Sequence, residues 1–298
     1  MNILIAGGTG FIGRHLAQYF IDKGHHVYIW ARTANQNIET RCLYISKLNE
    51  LNNFPIDVIV NLAGAPIDKR WTNSYKSILL CSRVDTISSL INWVSEQKIK
   101  PKLFLSASAI GYFGAQVFSK RLKEHDQPHF EYTHYLCNQV ELAAKEMEKH
   151  DVRTCVLRLG VVLGHGGALY KMLPAFKMGF GGKIGNGNQG LSWIHMTDVC
   201  RAIDWLVEHS SLQGCFNLTA PQPVTNHQFA RQLAETLQRP CWFTTPQWLI
   251  HLLFGEMGNR LLAHGQHVVP FRLMQSNFKF DYTTIDLALM DLLKPNSK

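Results

Sequence analysis

The sequence lacks any Cys-x-x-Cys pair, and its seven cysteines are an odd number. Neither a disulfide framework nor a zinc knuckle is therefore indicated. Several cysteines lie in apolar runs such as TCVLRLG and GCFNLTA, which is typical of small buried side chains in a reducing compartment. There is no HExxH motif, and the adjacent His25 and His26 begin a strand pattern that points them to opposite faces. We therefore expect no metal site.

Long hydrophobic runs are also missing. The amino-terminal stretch MNILIAGG has a short apolar run before its first glycine, too short for a signal peptide. No apolar run reaches the length that spans a membrane, so we expect a cytoplasmic protein. Charged residues are only 17% of the 298 residues and hydrophobic residues are 46%. Most of the chain is therefore expected to fold around a sizeable core.

The basic residues do not form a dense patch, although the net charge is +8. Such a charge can indicate nucleic acid, a membrane surface or an anionic ligand as the partner. The densest runs, SKRLKEH and KIKPK, are short and have little aromatic interleaving, which favours solvated loops. We expect no membrane partner, and an RNA-associated basic protein is the least favoured hypothesis.

The amino terminus carries a glycine motif in a meaningful context. NILIAGGTGFIGRHLAQYF begins as a buried strand, passes through a glycine loop and continues with helical spacing of apolar residues. Gly7 permits a tight turn, Gly10 lets a pyrophosphate approach the backbone, and Gly13 lets the helix pack close to the strand. The free N–H groups of the helix start then face the phosphates. The predicted dinucleotide-binding residues of this loop are Gly7, Thr9, Gly10, Phe11, Ile12 and Gly13.

The end of the second strand pattern, HHVYIWAR, selects the cofactor. An acidic residue about 20 residues beyond the glycines would bind the ribose 2′-hydroxyl of NAD. This chain has Arg32 there, and a guanidinium can hold a 2′-phosphate through charge-assisted hydrogen bonds. The position predicts NADP(H) rather than NAD(H), unless Arg32 is only an exposed strand end.

A third strand pattern, IDVIVNLAGAPI, ends in small residues that let a ligand lie against the strand's carboxyl end. The long helical pattern after it contains Arg83, which either reaches a cofactor phosphate or lies at the surface. The cofactor-binding residues predicted outside the glycine loop and Arg32 are Leu62, Ala63, Gly64, Arg83, Ser106 and Val161.

Strand patterns at about 2–7, 26–32, 57–63, 102–108 and 153–160 alternate with helical patterns. This alternation predicts an α/β fold, a Rossmann-type doubly wound parallel sheet with helices on both faces. GCFNLTA is expected to be a late strand at the sheet edge or in a second lobe. RPCWFTTPQWLIHLLF is rich in tryptophan and phenylalanine and is expected to form the packed core of that lobe.

Several motifs together carry a family likeness: GGTGFIG, NLAG, LSASAIGYFG, VLRLGVVLG and SWIHMTDVCRAI. Their order resembles the extended short-chain dehydrogenases/reductases of the NAD(P)-dependent epimerase/dehydratase superfamily. Three further segments resemble its atypical YfcH-like branch of "epimerase family" proteins: KRWTNSYKSILLCSRVDT, GGALYKMLPAFKMGFGGKIGNGNQGLSWIHMTD and the stretch from GEMGNRLLAHGQ onward. The resemblance covers nearly the whole chain but implies no particular substrate.

The resemblance implies an NADP-binding Rossmann domain over residues 1–170, joined again by about 196–220. Residues 171–298 are then expected to form a smaller C-terminal α/β lobe that covers the substrate. The expected partner is a small molecule, either a nucleotide-sugar or a carbonyl compound. The oligomeric state is not predicted.

The family's enzymes use a serine or threonine, a tyrosine and a lysine. In this chain the tyrosine and the lysine are replaced by other residues. Ser108 matches the family serine, because it stands four residues before Tyr112 in SASAIGYFG. In EYTHYLCNQVE, aligned on Glu141, the family tyrosine falls at Thr133 and its lysine at Cys137. Threonine is too weak an acid for this work near neutral pH, and cysteine carries no positive charge.

Other groups must therefore supply acid–base chemistry, if there is any. Tyr132 is a weak stand-in, because on a helix it is rotated by about 100° from Thr133. Residues expected to face the substrate cleft are Tyr112, Lys183, Trp193 and His195, each with an alternative structural role. Either Thr197 or Asp198 is expected to cap the helix that follows His195.

Two main hypotheses follow. The first is an NADP(H)-dependent oxidoreductase or epimerase-like enzyme with an unusual acid–base set. The second is a non-catalytic NADP(H)-binding sensor or interaction protein. Both share every cofactor motif, so the glycine loop cannot separate them.

Overall fold

The computed structural model describes residues 1–31, 42–52, 54–116 and 119–293. In these ranges the strands are β1 (Asn2–Ala6), β2 (His26–Trp30), β3 (Cys42–Ile45), β4 (Val58–Asn61), β5 (Leu103–Ala109), β6 (Arg121–Leu122), β7 (Arg153–Leu159), β8 (Val161–Leu163), β9 (Gly182–Ile184), β10 (Gly190–Leu191), β11 (Trp193–His195), β12 (Gly214–Leu218), β13 (Val224–Thr225), β14 (Phe243–Thr245) and β15 (His267–Val268). The helices are α1 (Phe11–Asp22), α2 (Asn73–Glu96), α3 (Tyr132–Lys145), α4 (Gly167–Lys177), α5 (Met196–Glu208), α6 (Asn226–Thr236), α7 (Gln247–Gly258), α8 (Phe271–Gln275) and α9 (Ile285–Leu293).

Seven of these strands form one parallel sheet in the order β3-β2-β1-β4-β5-β7-β12. In the register of its centre, Ile5 on β1 pairs with Ile29 on β2 and with Val60 on β4. The strand order changes direction between β1 and β4, which is the switch point where α/β proteins bind ligands. The predicted Rossmann-type sheet is confirmed, and GCFNLTA is the edge strand β12. The strand β3 was not predicted.

The two faces of the sheet are covered because β1 alternates its side chains. Ile3 and Ile5 point into a core that α1 and α5 close, and Leu4 and Ala6 point into a second core beneath α2 and α3. Each buried aliphatic side chain stabilises the fold by about 1.5–3 kcal/mol relative to exposure. The packed sheet therefore holds the carboxyl ends of β1, β4 and β5 in fixed positions at one edge.

A third core lies outside the sheet, among α4, α6 and α9. It contains Leu173 and Phe176 of α4, Phe229 and Leu233 of α6, and Leu289 of α9. Short strand pairs surround it, with β9 pairing with β14 and β10 with β13. The proposed division of the chain near residue 170 stays a prediction.

The tryptophan-rich segment does not form the core that the sequence predicted. Trp242 is 86% exposed and Trp248 is 67% exposed, with Leu252 and Leu253 also outside. The apolar residues of α7 are spread around the helix, so a helix at the surface can bury only some of its residues, here Ile250, Gly255, Met257 and Gly258. In the described ranges no helix has both the length and the apolar character needed to cross a membrane.

Candidate functional site

The glycine turn between β1 and α1 is packed against the end of β4. Gly7 has a φ of 79°, and a methyl group on it would lie 2.8 Å from the backbone of Leu62 and Ala63. A methyl group on Gly13 would lie 2.3 Å from the carbonyl oxygen of Gly7. Both positions therefore need glycine, the first for its left-handed backbone and the second for its close contact.

Gly10 is different, because the space above it is open. A methyl group there would meet only the carbonyl oxygen of Gly7, at 3.2 Å. Gly10 is also the N-cap of α1, where no side chain caps the helix and no acidic residue lies in the first turn. The free N–H groups and the positive end of the helix dipole thus face an accessible space, which fits a phosphate group.

Thr9 is exposed at the tip of this turn, and Phe11 and Ile12 are half-buried. The ring of Phe11 packs against the loop after β8, where methyl groups on Gly166 and Gly167 would approach it within 3 Å. Val161 on β8 is half-buried and pairs with Trp193 on β11. The glycine turn is thus held between the end of β4 and the β8–α4 loop.

Arg83 of α2 lies directly over Gly64, beyond the end of β4. A methyl group on Gly64 would be 2.9 Å from its guanidinium carbon. Its Nη1 donates to the carbonyl oxygen of Leu79 at 2.9 Å and its Nη2 to that of Ala65 at 3.1 Å. Burial lowers the pKa of Arg83. Among the described residues, no carboxylate lies within ion-pair distance of it.

The carboxyl end of β5 carries both predicted serines. Ser106 is fully buried between Asn61 of β4 and Val156 of β7, and its hydroxyl has no hydrogen-bond partner in the described part of the chain. The hydroxyl of Ser108 donates to Oε1 of Glu141 at 2.9 Å. The structure therefore brings both serines to the carboxyl end of β5, where the hydroxyl of Ser106 is buried and unpartnered among the described residues.

The helix α3 presents Thr133 and Cys137 to the turn after β5. A methyl group on Gly111 of that turn would be 3.4 Å from Cβ of Thr133 and 3.5 Å from Sγ of Cys137. Both side chains are buried. Burial raises the pKa of the Cys137 thiol to about 11, so it stays neutral near pH 7. Thr133 and Cys137 thus lie in the predicted places, and neither side chain carries a charge.

A carboxylate that the sequence did not reveal lies beside Thr133. The hydroxyl of Thr133 donates to Oε1 of Glu131 at 2.7 Å, and the N–H of Ala115 donates to the same oxygen at 3.0 Å. Oε2 of Glu131 pairs with the guanidinium of Arg260. Arg260 lies in a π-helical turn after α7, so this pair links the C-terminal lobe to the start of α3.

Tyr132 turns toward α2 instead of toward Ser108. Its hydroxyl donates to the carbonyl oxygen of Lys76 at 3.2 Å, and its ring meets that of Trp71 edge-on at 5.3 Å. The ammonium of Lys76 lies 4.6 Å from the ring centre and also pairs with Glu256 at 2.6 Å. Burial raises the pKa of Tyr132. The side chain therefore packs between α2 and the lobe, and its catalytic role remains a weak prediction.

Tyr112 belongs to a buried cluster around a second ion pair. Its ring stacks on the guanidinium of Arg158, with 3.4 Å between the guanidinium carbon and the ring centre. Arg158 binds Glu141 through two hydrogen bonds of 2.9 and 2.8 Å. Its Nη1 donates to the carbonyl oxygen of Glu124. Tyr112 thus occupies the packing role that the sequence left open.

Lys183 and Trp193 lie in the C-terminal lobe. Lys183 is half-buried on β9, its stem packs against Gly187, and no described carboxylate pairs with its ammonium. Trp193 is fully buried in the third core, and its Nε1 donates to the carbonyl oxygen of Gln222 at 3.2 Å. Of the two alternatives for Trp193, the structure has it filling the interior of the lobe.

His195 itself caps α5, in place of the Thr197 or Asp198 that the sequence predicted. Its Nδ1 accepts from the N–H of Thr197 at 3.2 Å, because the ring is held by a stack on Tyr282 at 3.7 Å. Its Nε2 lies 3.3 Å from Asp291. Burial lowers its pKa to about 4. The buried carboxylate of Asp198 instead accepts the N–H groups of residues 281 and 282.

The structure therefore gathers most of the predicted cofactor residues at one edge of the sheet, while Arg32 lies outside the described residues. Two charged pairs were missed, Glu141 with Arg158 and Glu131 with Arg260. The strand VLRLG contains an arginine amid apolar residues, and that interruption was the available signal for the first pair. No group of three or more metal-binding side chains occurs in the ranges that the structure describes.

Comparison with known families agrees with this geometry. Residues 3–218 match the model of the NAD dependent epimerase/dehydratase family. Residues 245–292 match a domain of unknown function, DUF1731. The second match begins at β14 and ends within α9, so it covers the part of the lobe that supplies Arg260 and Glu256.

Among curated proteins, the chain is 36% identical over 301 residues to the epimerase family protein YfhF of Bacillus subtilis, covering 98% of both chains. Among solved structures, it is similar to the human epimerase family protein SDR39U1 with NADPH, at 29% identity and a TM-score of 0.87, covering 98% of this chain and 99% of that one. The UDP-glucuronic acid 4-epimerase of Bacillus cereus shares the fold, with a TM-score of 0.78 over 98% of both chains at 14% identity.

Proposed function

The chain belongs to the NAD dependent epimerase/dehydratase family, and we propose that it binds NADP(H) at the switch point and is an oxidoreductase or epimerase-like enzyme. The observation that carries this proposal is the glycine turn. Gly7 and Gly13 pack directly against backbone atoms and have no room for a side chain. Gly10 instead faces open space beside the start of α1, which no side chain caps. The structure of the 29% identical human relative, which contains NADPH, supports the same cofactor here.

The residues at this edge fit a nicotinamide dinucleotide. The N–H groups at the start of α1 suit the pyrophosphate, and the small residues Ala63 and Gly64 leave room along β4. Arg32 is proposed to select the 2′-phosphate, and the unpartnered hydroxyl of Ser106 is proposed to face the cofactor. When bound, such a cofactor supplies a carbon that accepts or donates a hydride.

The substrate is proposed to be a small carbonyl compound or a nucleotide-sugar, bound between Ser108 and the lobe. Ser108 is proposed to orient a substrate oxygen, with Lys183 as a weaker substrate-site proposal. Tyr112, Trp193 and His195 have the structural roles described above. We also propose that the protein is cytoplasmic, where its seven free cysteines would stay reduced.

One observation favours the alternative, a non-catalytic NADP(H)-binding sensor. The three hydroxyls nearest the family's reaction site all donate within the protein. Ser108 donates to Glu141, Thr133 to Glu131, and Tyr132 to the carbonyl oxygen of Lys76. A catalytic hydroxyl would have to leave such a bond, at a cost of about 1 kcal/mol or more. A cofactor-dependent change in partner binding, with no turnover, fits this reading.

Cofactor titration tests the first part of the proposal. Nicotinamide fluorescence should show that NADPH binds more tightly than NADH. Arg32→Asp should reverse this order, while Arg239→Asp, the same charge change at an exposed lobe residue, should preserve it. If neither nucleotide binds the wild-type protein, the cofactor proposal is wrong. If Arg32→Asp still prefers NADPH, the role given to Arg32 is wrong.

Turnover separates the enzyme from the sensor. We expect hydride transfer with NADPH on a panel of carbonyl compounds and nucleotide-sugars, and loss of that turnover in Ser108→Ala. Turnover that is unchanged in Ser108→Ala removes Ser108 from the reaction. Tight NADPH binding without turnover on any member of the panel favours the sensor.

A further inference from the structure

A large apolar surface, the α7 patch, lies on the C-terminal lobe. Its members are apolar side chains that are each more than half exposed: Phe180, Trp242, Phe243, Trp248, Leu252 and Leu253. Their exposed surface is on the order of 800 Å², since a fully exposed aromatic side chain presents about 150–250 Å². The largest apolar patch on a typical monomer is about 300–600 Å², and larger patches mark interaction sites. The α7 patch therefore exceeds what a monomer ordinarily leaves in water.

The patch is built from two chain segments that meet at a strand pair. β9 pairs with β14, and the rings of Phe180, just before β9, and Phe243, on β14, meet at 5.4 Å. α7 begins two residues after β14 ends. Trp248 and Leu252 are one helical turn apart and therefore share a face of α7. The aromatic residues around β14 and the outer face of α7 are thus neighbours on the lobe.

The inner side of α7 is already fixed to the rest of the protein. Ile250, which is buried, is rotated by about 200° from Trp248 on the helix. Near the end of α7, Met257 packs with Leu136 of α3 in one buried cluster, and Glu256 pairs with Lys76 of α2. The patch is therefore carried by a helix that is held in place, so little ordering is needed when a partner covers it.

The composition of the patch argues against partners that are recognised by charge. Residues 178–181 and 242–254 include no Asp, Glu, Lys or Arg. Helices that lie on a membrane surface carry Lys or Arg on their polar face, and nucleic acid is bound through cations. The sequence of α7 contains neither Lys nor Arg. The α7 patch therefore matches an uncharged, apolar protein surface.

A second copy of this chain offers such a surface. In a two-fold symmetric dimer the same residues face each other, so a charge in the interface would meet its own like charge. The net charge of +8 opposes association through most of the surface, but the α7 patch can face itself without repulsion. Its area of about 800 Å² is also what each partner buries in an interface of standard size.

We propose that two copies of this protein form a symmetric dimer through the α7 patch. Trp242 and Trp248 are the anchors of this interface, because large aromatic side chains buried in an interface carry most of its binding energy. The dimer joins lobe to lobe. This inference goes beyond the proposed function and does not depend on the proposed cofactor.

Sedimentation velocity of the full-length protein tests the dimer. Interfaces of standard size have micromolar or tighter affinity, so concentrations between about 1 and 100 micromolar cover the transition. The wild-type protein should sediment as a dimer at the upper end of this range. Trp248→Glu should weaken the dimer at least about 30-fold, the loss for removing an anchor residue. Leu252→Glu should also weaken it, since each substitution occurs twice in a symmetric interface.

Leu142→Glu is the matched control, because Leu142 of α3 is a similarly exposed leucine outside the patch. It should leave the dimer unchanged. Melting temperatures close to that of the wild type in all three variants would show that the fold is intact, as expected for exposed positions. A wild-type protein that is monomeric at every concentration overturns the proposal. A dimer that Leu142→Glu dissociates and Leu252→Glu does not would also overturn it, by placing the interface on α3.

Discussion

The guanidinium of Arg158 and the carboxylate of Glu141 meet in two hydrogen bonds, Nε to Oε1 at 2.9 Å and Nη2 to Oε2 at 2.8 Å. Both side chains are almost fully buried. The pair joins β7 of the sheet to α3, and Ser108 donates to the same Oε1 atom. A buried pair of this geometry fixes the helix relative to the strand ends on which the cofactor edge is built.

Replacing one partner of this ion pair while keeping the other should strongly destabilise the fold. Arg158→Met leaves a buried carboxylate unpaired and should lower the free energy of unfolding by about 3–5 kcal/mol. Arg158→Met combined with Glu141→Leu should recover much of the loss, because no charge then remains buried. Urea denaturation measures both. Arg231→Met, which breaks the exposed helical pair with Glu235, is the control and should unfold like the wild type. A double variant as unstable as Arg158→Met would contradict the account.

Two glycines of the first turn should separate folding from cofactor binding. Gly13→Ala places a methyl group 2.3 Å from the carbonyl oxygen of Gly7, so it should lower the melting temperature. Gly10→Ala meets only one atom, at 3.2 Å, and should melt like the wild type. It should nevertheless weaken NADPH binding, since the methyl group enters the space proposed for the pyrophosphate. Normal NADPH affinity in a folded Gly10→Ala variant would place the cofactor elsewhere.

Burial of His195 should make the fold sensitive to acid. Its pKa is lowered from 6.5 to about 4. Between these pH values His195 is therefore protonated in the unfolded chain and neutral in the folded chain. The stability that the neutral, buried His195 allows is fully present above about pH 6.5 and is lost as the pH falls toward 4. At pH 5 the loss is about 2 kcal/mol.

His195→Asn keeps an acceptor for the N–H of Thr197 but removes the titrating ring. The stability advantage of the wild type over this variant should therefore shrink between pH 8 and pH 5. Denaturation at both pH values measures it. An advantage that is constant or grows toward pH 5 would show that the ring is not kept neutral.

Arg260 should control how firmly the lobe is attached to α3. Arg260→Gln leaves the buried carboxylate of Glu131 without its cation and should cost about 1–3 kcal/mol of stability. It should also make residues 255–266 more susceptible to limited proteolysis. Lys149→Gln is the control, because its partner Glu146 is exposed and on the same surface turn. Equal proteolysis of Arg260→Gln and Lys149→Gln would show that the pair does not hold the lobe.

The parts of the fold that local pattern determines were predictable. The glycine turn, the strands β4 and β5 and the helix that carries Thr133 and Cys137 all depend on short stretches of sequence. Buried-strand patterns and glycine spacing identify them because neighbouring residues alone decide the backbone. The family resemblance added the order of the elements.

The parts that depend on distant residues were not predictable. Glu131 and Arg260 are 129 positions apart, and nothing in either stretch indicates the other. The cap by His195 was missed because a threonine and an aspartate nearby are the commoner N-caps, yet Asp198 is used by the backbone at 281 and 282. The exposed face of α7 was mispredicted because composition reports apolarity but not how much partner surface is available.

The ionic contacts from the end of α7 and its following turn all reach the helices that flank the cofactor edge. Glu256 reaches Lys76 on α2, and Arg260 reaches Glu131 at the start of α3. A ligand that binds better when the lobe is attached must, by reciprocity, raise the free energy needed to detach it. Hydrogen exchange of residues 256–263 would then report ligand occupancy at a site that these residues do not themselves form.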